Sequence, residues 1–467
     1  MTNQPLPGLA ALIALATPST VFAEPVDPAN ATDASEDATP AETRSIEERL
    51  QALEAKADVT IDEIDSLRKI FAVPEDQELT SYSGLGPAAS KVYQRDRGLS
   101  IGGYGEVRFR GQVADENNSQ NVFDALRMVL YAGYKFNDWI VFNSELEFEH
   151  AGTGGGGSVS TEFMTLDLLF DDSFNARAGL VLVPMGIVNE MHEPTFFFGA
   201  ARPEVERRII PSTWRENGAG FYGNIAERID YRIYAINGLD AAGFSDNGLR
   251  GGRQKGSEAL ADHWAVVARV DAELFRGVDI GGSIYHGKSG QNGTNTREVT
   301  DITGPTPVTT SETFAVPDTQ TTIWELHARV RYAGATLQGL FTQSILGDTA
   351  ALSLATGDTV ARKMQGGYVE VAYDLMPWID ADSEMTLEPF YRYERLDTQH
   401  SVSAGSLAAL APEGITSGNA SRDRTLHVVG LQYKPHPQVV IKLDYRNIDS
   451  AGTDLPDEVQ AGIGFVF

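Results

Sequence analysis

The stretch Val459-Gln460-Ala461-Gly462-Ile463-Gly464-Phe465-Val466-Phe467 alternates large apolar side chains with small or polar ones and ends on an aromatic residue. Successive side chains of a strand point to opposite faces. Val459, Ala461, Ile463, Phe465 and Phe467 therefore share one face, and Gln460, Gly462 and Gly464 the other. The same split recurs upstream, from Gly98 onward. Leu99, Ile101, Val107 and Phe109 alternate with Tyr104, Glu106, Arg108 and Arg110, and Ile140, Phe142, Leu146 and Phe148 with Asn143, Glu145, Glu147 and Glu149. Further on, Trp324, Leu326, Ala328 and Val330 oppose Glu325, His327, Arg329 and Arg331, while Val439, Ile441, Leu443 and Tyr445 oppose Lys442, Asp444 and Arg446. About sixteen such segments follow residue 98, each near the ten residues that a tilted strand needs to cross a bilayer.

Alternation alone also fits a soluble sandwich, so size decides. A barrel of about sixteen strands is too wide for side chains to fill. The charged face is then expected to line water, and the apolar face needs a non-aqueous solvent outside. The expected fold class is all-β: a transmembrane antiparallel β-barrel of about sixteen strands over residues 98–467, preceded by a short helical or coiled-coil segment.

Composition agrees. The chain has 467 residues, of which 42% are hydrophobic, and its mean hydropathy is -0.21. No apolar run reaches the roughly 18 residues of a membrane helix, which excludes a helical membrane protein. Barrel strands escape that test because only every second residue must be apolar. There is no cysteine, so disulfides, thiolate nucleophiles and Cys-based metal sites are excluded. A formal net charge of -28 argues against nucleic acid as a partner, since phosphate binding needs clustered Lys and Arg.

Ahead of the barrel, residues 1–23 read as an export signal, with an apolar core in LPGLAALIALATPSTVFA and small residues before Glu24, although Met1-Thr2-Asn3-Gln4 lacks the usual positive charge. Residues 24–43, rich in Pro, Ala, Asp and Glu, read as a disordered acidic tether. Over 44–72, Ile46, Leu50, Leu53, Ala57, Ile61, Ile64, Leu67 and Phe71 recur at spacings of three and four. That pattern predicts an amphipathic helix or short coiled coil, able to self-associate or to contact peptidoglycan. Residues 73–97 are expected to be a linker.

Connections alternate between tight and long. Asn137-Asp138, Asp171-Asp172-Ser173, Glu227-Arg228, Arg276-Gly277, Ala333-Gly334 and Pro435-His436-Pro437 are tight, whereas 185–216, 239–261, 288–319, 347–361 and 398–421 are long. Tight turns are expected on the periplasmic side and long loops outside. Aromatic residues crowd the tight rim, among them Tyr134, Phe136, Trp139, Phe170, Phe174, Phe275, Tyr332, Tyr373, Trp378 and Tyr433, as an interfacial girdle requires. The long segment after the fifth strand is expected to fold back into the lumen and set a constriction with charges of both signs: Glu190, His192, Glu193, Arg202, Glu204, Glu206, Arg207, Arg208, Arg215 and Glu216.

The run over 180–223, LVLVPMGIVNEMHEPTFFFGAARPEVERRIIPSTWRENGAGFYG, together with Gly102-Gly103-Tyr104-Gly105-Glu106 and Phe142-Asn143-Ser144-Glu145-Leu146-Glu147-Phe148-Glu149-His150, resembles the phosphate-selective porin family. The resemblance spans residues 98–467. It implies a sixteen-stranded trimeric outer-membrane barrel that passes small polar solutes or anions along inward arginines, with lysines in the constriction loop. Arg108, Arg110, Arg127, Arg177, Arg232, Arg269, Arg329, Arg331, Arg392 and Arg446 fall on inward positions, as does Lys442. Residues 185–216 hold no lysine, which departs from the family, and inward acids such as Glu145, Glu147, Glu149, Asp271, Glu388 and Glu394 compete with the arginines.

The expected function is a porin of the bacterial outer membrane, a passive diffusion channel without catalytic residues or cofactor, embedded in lipid as a homotrimer. No Gly-x-Ser-x-Gly elbow or supported Ser/His/acid grouping occurs. Glu190, His192 and Glu193 do not give three metal ligands at a recognised spacing, so no metal is assigned. The alternative is a closed structural or surface-binding barrel.

Overall fold

The computed structural model describes residues 50–61, 80–113 and 120–467. Residues 50–61 form helix α1, exposed along its length, in a unit separate from the barrel. The expected signal, the tether and the remainder of the 44–72 helical pattern lie outside the described residues.

Sixteen antiparallel strands close into a barrel: β1 (Gly98–Val113), β2 (Val122–Asn137), β3 (Ile140–Glu149), β4 (Ser158–Asp171), β5 (Phe174–Leu182), β6 (Arg215–Ile225), β7 (Ile229–Asn237), β8 (Trp264–Phe275), β9 (Val278–Lys288), β12 (Gln320–Tyr332), β13 (Ala335–Leu346), β14 (Lys363–Tyr373), β15 (Thr386–Ser401), β16 (Asp423–His436), β17 (Val439–Ser450) and β18 (Asp457–Val466). The seam is β1 against β18, with Tyr104 opposite Val466 and Arg110 opposite Gln460. Between β9 and β12, strands β10 (Thr294–Asp301) and β11 (Val308–Ala315) form a separate hairpin within what reads in the sequence as a loop.

The wall follows the period of two. Leu326, Val369, Leu443 and Ile463 are exposed, whereas their neighbours Glu325, Glu370, Asp444 and Gly464 are buried inside. The tight-turn aromatics Tyr134, Phe136, Trp139, Phe170, Phe174, Phe275, Tyr332, Tyr373 and Trp378 are exposed in a band at that rim. A continuous apolar exterior is unstable in water and stable against lipid, which is why closed barrels suit membranes.

Two expectations need correction. First, the lumen is not lined by water alone. Val205, Ile209, Ile210 and Trp214 from the loop after β5 pack with Leu239, Phe244 and Leu249 from the loop after β7 and with Leu352 and Val360 from the loop after β13. This cluster rests on the inward wall residues Tyr234, Tyr285, Ile323, Leu340, Tyr368 and Leu426. Long loops supplied the apolar groups that fill the width which side chains of the wall alone do not.

Second, the described part of the presumed linker is not a linker. Residues 80–97 carry helix α2 (Pro87–Ser90) and a 3-10 turn (Lys91–Gln94), and Leu85, Ala88, Ala89 and Val92 are buried. Leu85, Ala88 and Ala89 pack on Tyr104, Tyr131, Phe163 and Val466 inside the tight-turn end of the barrel. Inward glycines make the room: a Cβ on Gly133 would lie 2.7 Å from Val92, and one on Gly102 would lie 2.9 Å from the Ala88 carbonyl oxygen.

Candidate functional site

Residues 183–214 leave β5 and return to β6 through the lumen, almost wholly buried. Their neck is stapled by Asn189. Its Nδ2 donates to the carbonyls of Val183 (2.7 Å) and Trp214 (2.9 Å), and its Oδ1 accepts from the Trp214 amide (2.6 Å). Beyond the neck the loop meets the wall on nearly every side. Lys442 Nζ donates to the Phe197 carbonyl (2.6 Å), Arg392 Nη1 to that of Phe198 and Nη2 to that of Ala201 (both 3.3 Å), and the Ala200 amide to Asp444 (2.7 Å). The Tyr368 hydroxyl donates to Glu206, whose other oxygen accepts the Val188 amide (2.7 and 2.8 Å). Buried carboxylates and guanidinium groups serve here as anchors for backbone groups that would otherwise be unpaired.

Most of the constriction residues named from sequence therefore face protein. Glu190 pairs with Arg232 (3.2 Å), and Arg232 and Arg269 also hold Asp271, so these wall positions form one ion-pair network. Glu193 accepts from the amides of Ala88 (3.1 Å) and Ala89 (3.4 Å), tying the loop to the N-terminal segment. Arg215 belongs to β6 and donates to Glu162 (2.7 Å), while Glu216 accepts from Asn237 and Trp214. On the wall, Arg177 is paired with Asp167, Arg127 with Glu106 and Glu147, and Arg392 with Glu370 and Glu394. Among the described residues no continuous inward line of free arginines results.

His192 sits where three elements converge. Its Nδ1 lies 2.9 Å from the Asn189 carbonyl, and its Nε2 lies 3.2 Å from Glu145 of β3 and 3.1 Å from Glu162 of β4. Burial works against a charged ring, but the two carboxylates outweigh it and push the imidazole up to about 10.

Cavities open on both sides of the loop. At the tight-turn rim are spaces of about 720 Å³ and 390 Å³, which share Phe196, Arg329 and Arg331 in their lining. At the long-loop rim lies a chamber of about 250 Å³ lined by Arg108, Arg110, Arg207, Arg208, Arg424 and Arg446 against only two acids, Glu204 and Glu458. Helix α3 (Glu204–Arg208) places Glu204 within 3.3 Å of Arg207, 2.9 Å of Arg208 and 3.7 Å of Arg446. Burial opposes its charge, yet these cations hold its carboxyl well below the usual range. Arg207 remains half exposed. Of the sequence-named arginines, Arg108, Arg110, Arg207, Arg208 and Arg446 are thus brought together, and Arg202 turns aside to the His192 carbonyl (3.3 Å). Sequence reasoning missed Arg424 and Glu458, although the inward alternation of β16 and β18 carries both.

No family model matches the chain. A protein of Aquifex aeolicus (strain VF5) described as uncharacterized is 35% identical over 417 residues, covering 86% of this chain and 87% of its own length, and the chain belongs to the same family as that protein. Among solved structures, the loop L8 deletion mutant of OmpT, an outer membrane protein of Vibrio cholerae, is similar over 80% of this chain and 100% of its own, with a TM-score of 0.50 and 13% identity. Salmonella typhi OmpF in complex with daunomycin covers 80% of this chain and 98% of its own, with a TM-score of 0.49 and 14% identity. The likeness to OmpT is one of fold.

Proposed function

We propose that this protein is a porin of the bacterial outer membrane, a narrow diffusion channel for small hydrophilic solutes that favours anions, with the tight turns in the periplasm and the long loops outside. The observation that carries this reading is the chamber on the outer side of the constriction loop, where six arginines meet two glutamates. Such a chamber concentrates anions before they meet the constriction and repels cations, while the apolar exterior suits lipid. The reading assigns no catalysis and no cofactor to the protein, and it takes the homotrimer and the phosphate-like solute from the resemblance drawn above. In planar bilayers, stepwise currents are expected, with a reversal potential under a salt gradient that reports anion preference. Arg207→Glu with Arg208→Glu should move that potential towards cation preference; an unchanged value would remove these residues from the conduction path.

A second reading, a closed structural barrel, is favoured by the apolar loop packing and by the N-terminal segment inside the lumen. The same recording separates the two. Absence of any current from correctly folded protein would favour the closed barrel.

A further inference from the structure

We propose that His192, Glu145 and Glu162 form a site for a divalent first-row metal ion such as zinc, which cross-links the constriction loop to strands β3 and β4. Among the described residues, these three are the one group of His and acidic side chains whose ligand atoms all lie within 4.8 Å of one another. All are buried, with His192 at 2% and both glutamates at 0% exposure. The tautomer is set by the Asn189 carbonyl: it can only accept, so Nδ1 carries a hydrogen and Nε2 is aimed at the carboxylates. A histidine whose far nitrogen donates to a carbonyl is the arrangement that orients an imidazole towards a metal.

The distances also suit an ion. Charge-assisted N–H···O contacts close to about 2.7–2.9 Å, whereas Nε2 stands 3.2 Å from Glu145 and 3.1 Å from Glu162. With metal–ligand bonds of about 2.0–2.1 Å, tetrahedral ligands stand about 3.3–3.4 Å apart, near the spacing seen here. A single N–H shared between two carboxylates bonds each of them weakly, and Oε2 of Glu145 lacks a hydrogen-bond partner despite full burial. Arg215 and Ser160 complete the surroundings: Arg215 holds Glu162 Oε1 at 2.7 Å and donates to Ser160, fixing the carboxylate from behind. One imidazole and two carboxylates form a neutralising N/O donor set for a dication.

The test uses the full chain, folded in detergent, stripped with a chelator and titrated with Co²⁺. One equivalent should give the intense visible absorption of a tetrahedral cobalt site, and Zn²⁺ should displace it. His192→Gln and Glu145→Gln should each weaken binding by roughly a hundredfold or more, whereas His286→Gln, which alters an exposed histidine, should leave it unchanged. Folded wild-type protein that gives no such spectrum, or a His192→Gln variant that keeps it, would overturn the proposal. Should His192→Gln fail to fold, the wild-type titration and Glu145→Gln decide alone.

Discussion

Asp167 shows how much one inward side chain of β4 carries. Its carboxylate accepts from Arg177 Nε (2.9 Å) and Nη2 (2.8 Å), from the Tyr222 hydroxyl (2.7 Å) and from the Tyr93 hydroxyl (2.8 Å). Three of those donors belong to the wall and one to the N-terminal segment. Removing the acid strands a buried guanidinium, a loss of about 3–5 kcal/mol in comparable pairs. Asp167→Ala should therefore lower the unfolding midpoint in detergent, followed by the heat-induced shift on a gel, while Asp301→Ala on the exposed hairpin should not. Equal midpoints for the two variants would mean that the network contributes nothing. Nothing in the sequence around Asp167 singles it out. Its partners lie 10, 55 and 74 positions away, and such spacing leaves no periodic trace. The pairing of His192 with Glu145 and Glu162 is hidden for the same reason.

At the level of elements, alternation made the strands legible because each wall residue faces either lipid or the interior, and a slip by one residue would reverse every side chain. The fold-back of residues 183–214 was readable from its length and position after β5. What escaped was the content of the lumen. Thr80-Ser81-Tyr82-Ser83-Gly84-Leu85-Gly86-Pro87-Ala88-Ala89-Ser90 has the small residues of a linker. The same smallness lets Ala88 lie against Gly102 of the wall. If the segment narrows the channel, deleting residues 80–94 should raise single-channel conductance severalfold without changing the strand signal in circular dichroism. Gly133→Leu, which overpacks the seat of Val92 at about 1–3 kcal/mol, should raise it in part. Conductance that stays at the wild-type value in both would place the current away from this segment.

For the whole molecule, the charge that matters is local. The formal net charge of -28 predicts an acidic surface, yet the chamber at the long-loop rim is cationic. Arginine does not titrate in the accessible range. Glu204 is held ionised by Arg207, Arg446 and Arg208 against the cost of burial. Its folded-state pKa lies below its unfolded value, so the stabilisation it gives is complete above the unfolded value and is lost as pH falls from there through the lower, folded one. Ion preference should accordingly stay level between about pH 5 and pH 8, as read from reversal potentials; a steep change in that window would point to another titrating group at the constriction. Chemical cross-linking of detergent-extracted protein should yield trimers, and a ladder ending at the monomer would remove that assembly.

The two ends of the lumen also differ in charge balance. Five arginines and six acids line the 390 Å³ space at the tight-turn rim, whereas guanidinium groups dominate the opposite chamber. If the lumen conducts, such a built-in polarity should make it a diode for ions: equal voltages of opposite sign should drive unequal currents, and the stronger branch should tell an experimenter which way round each molecule has inserted.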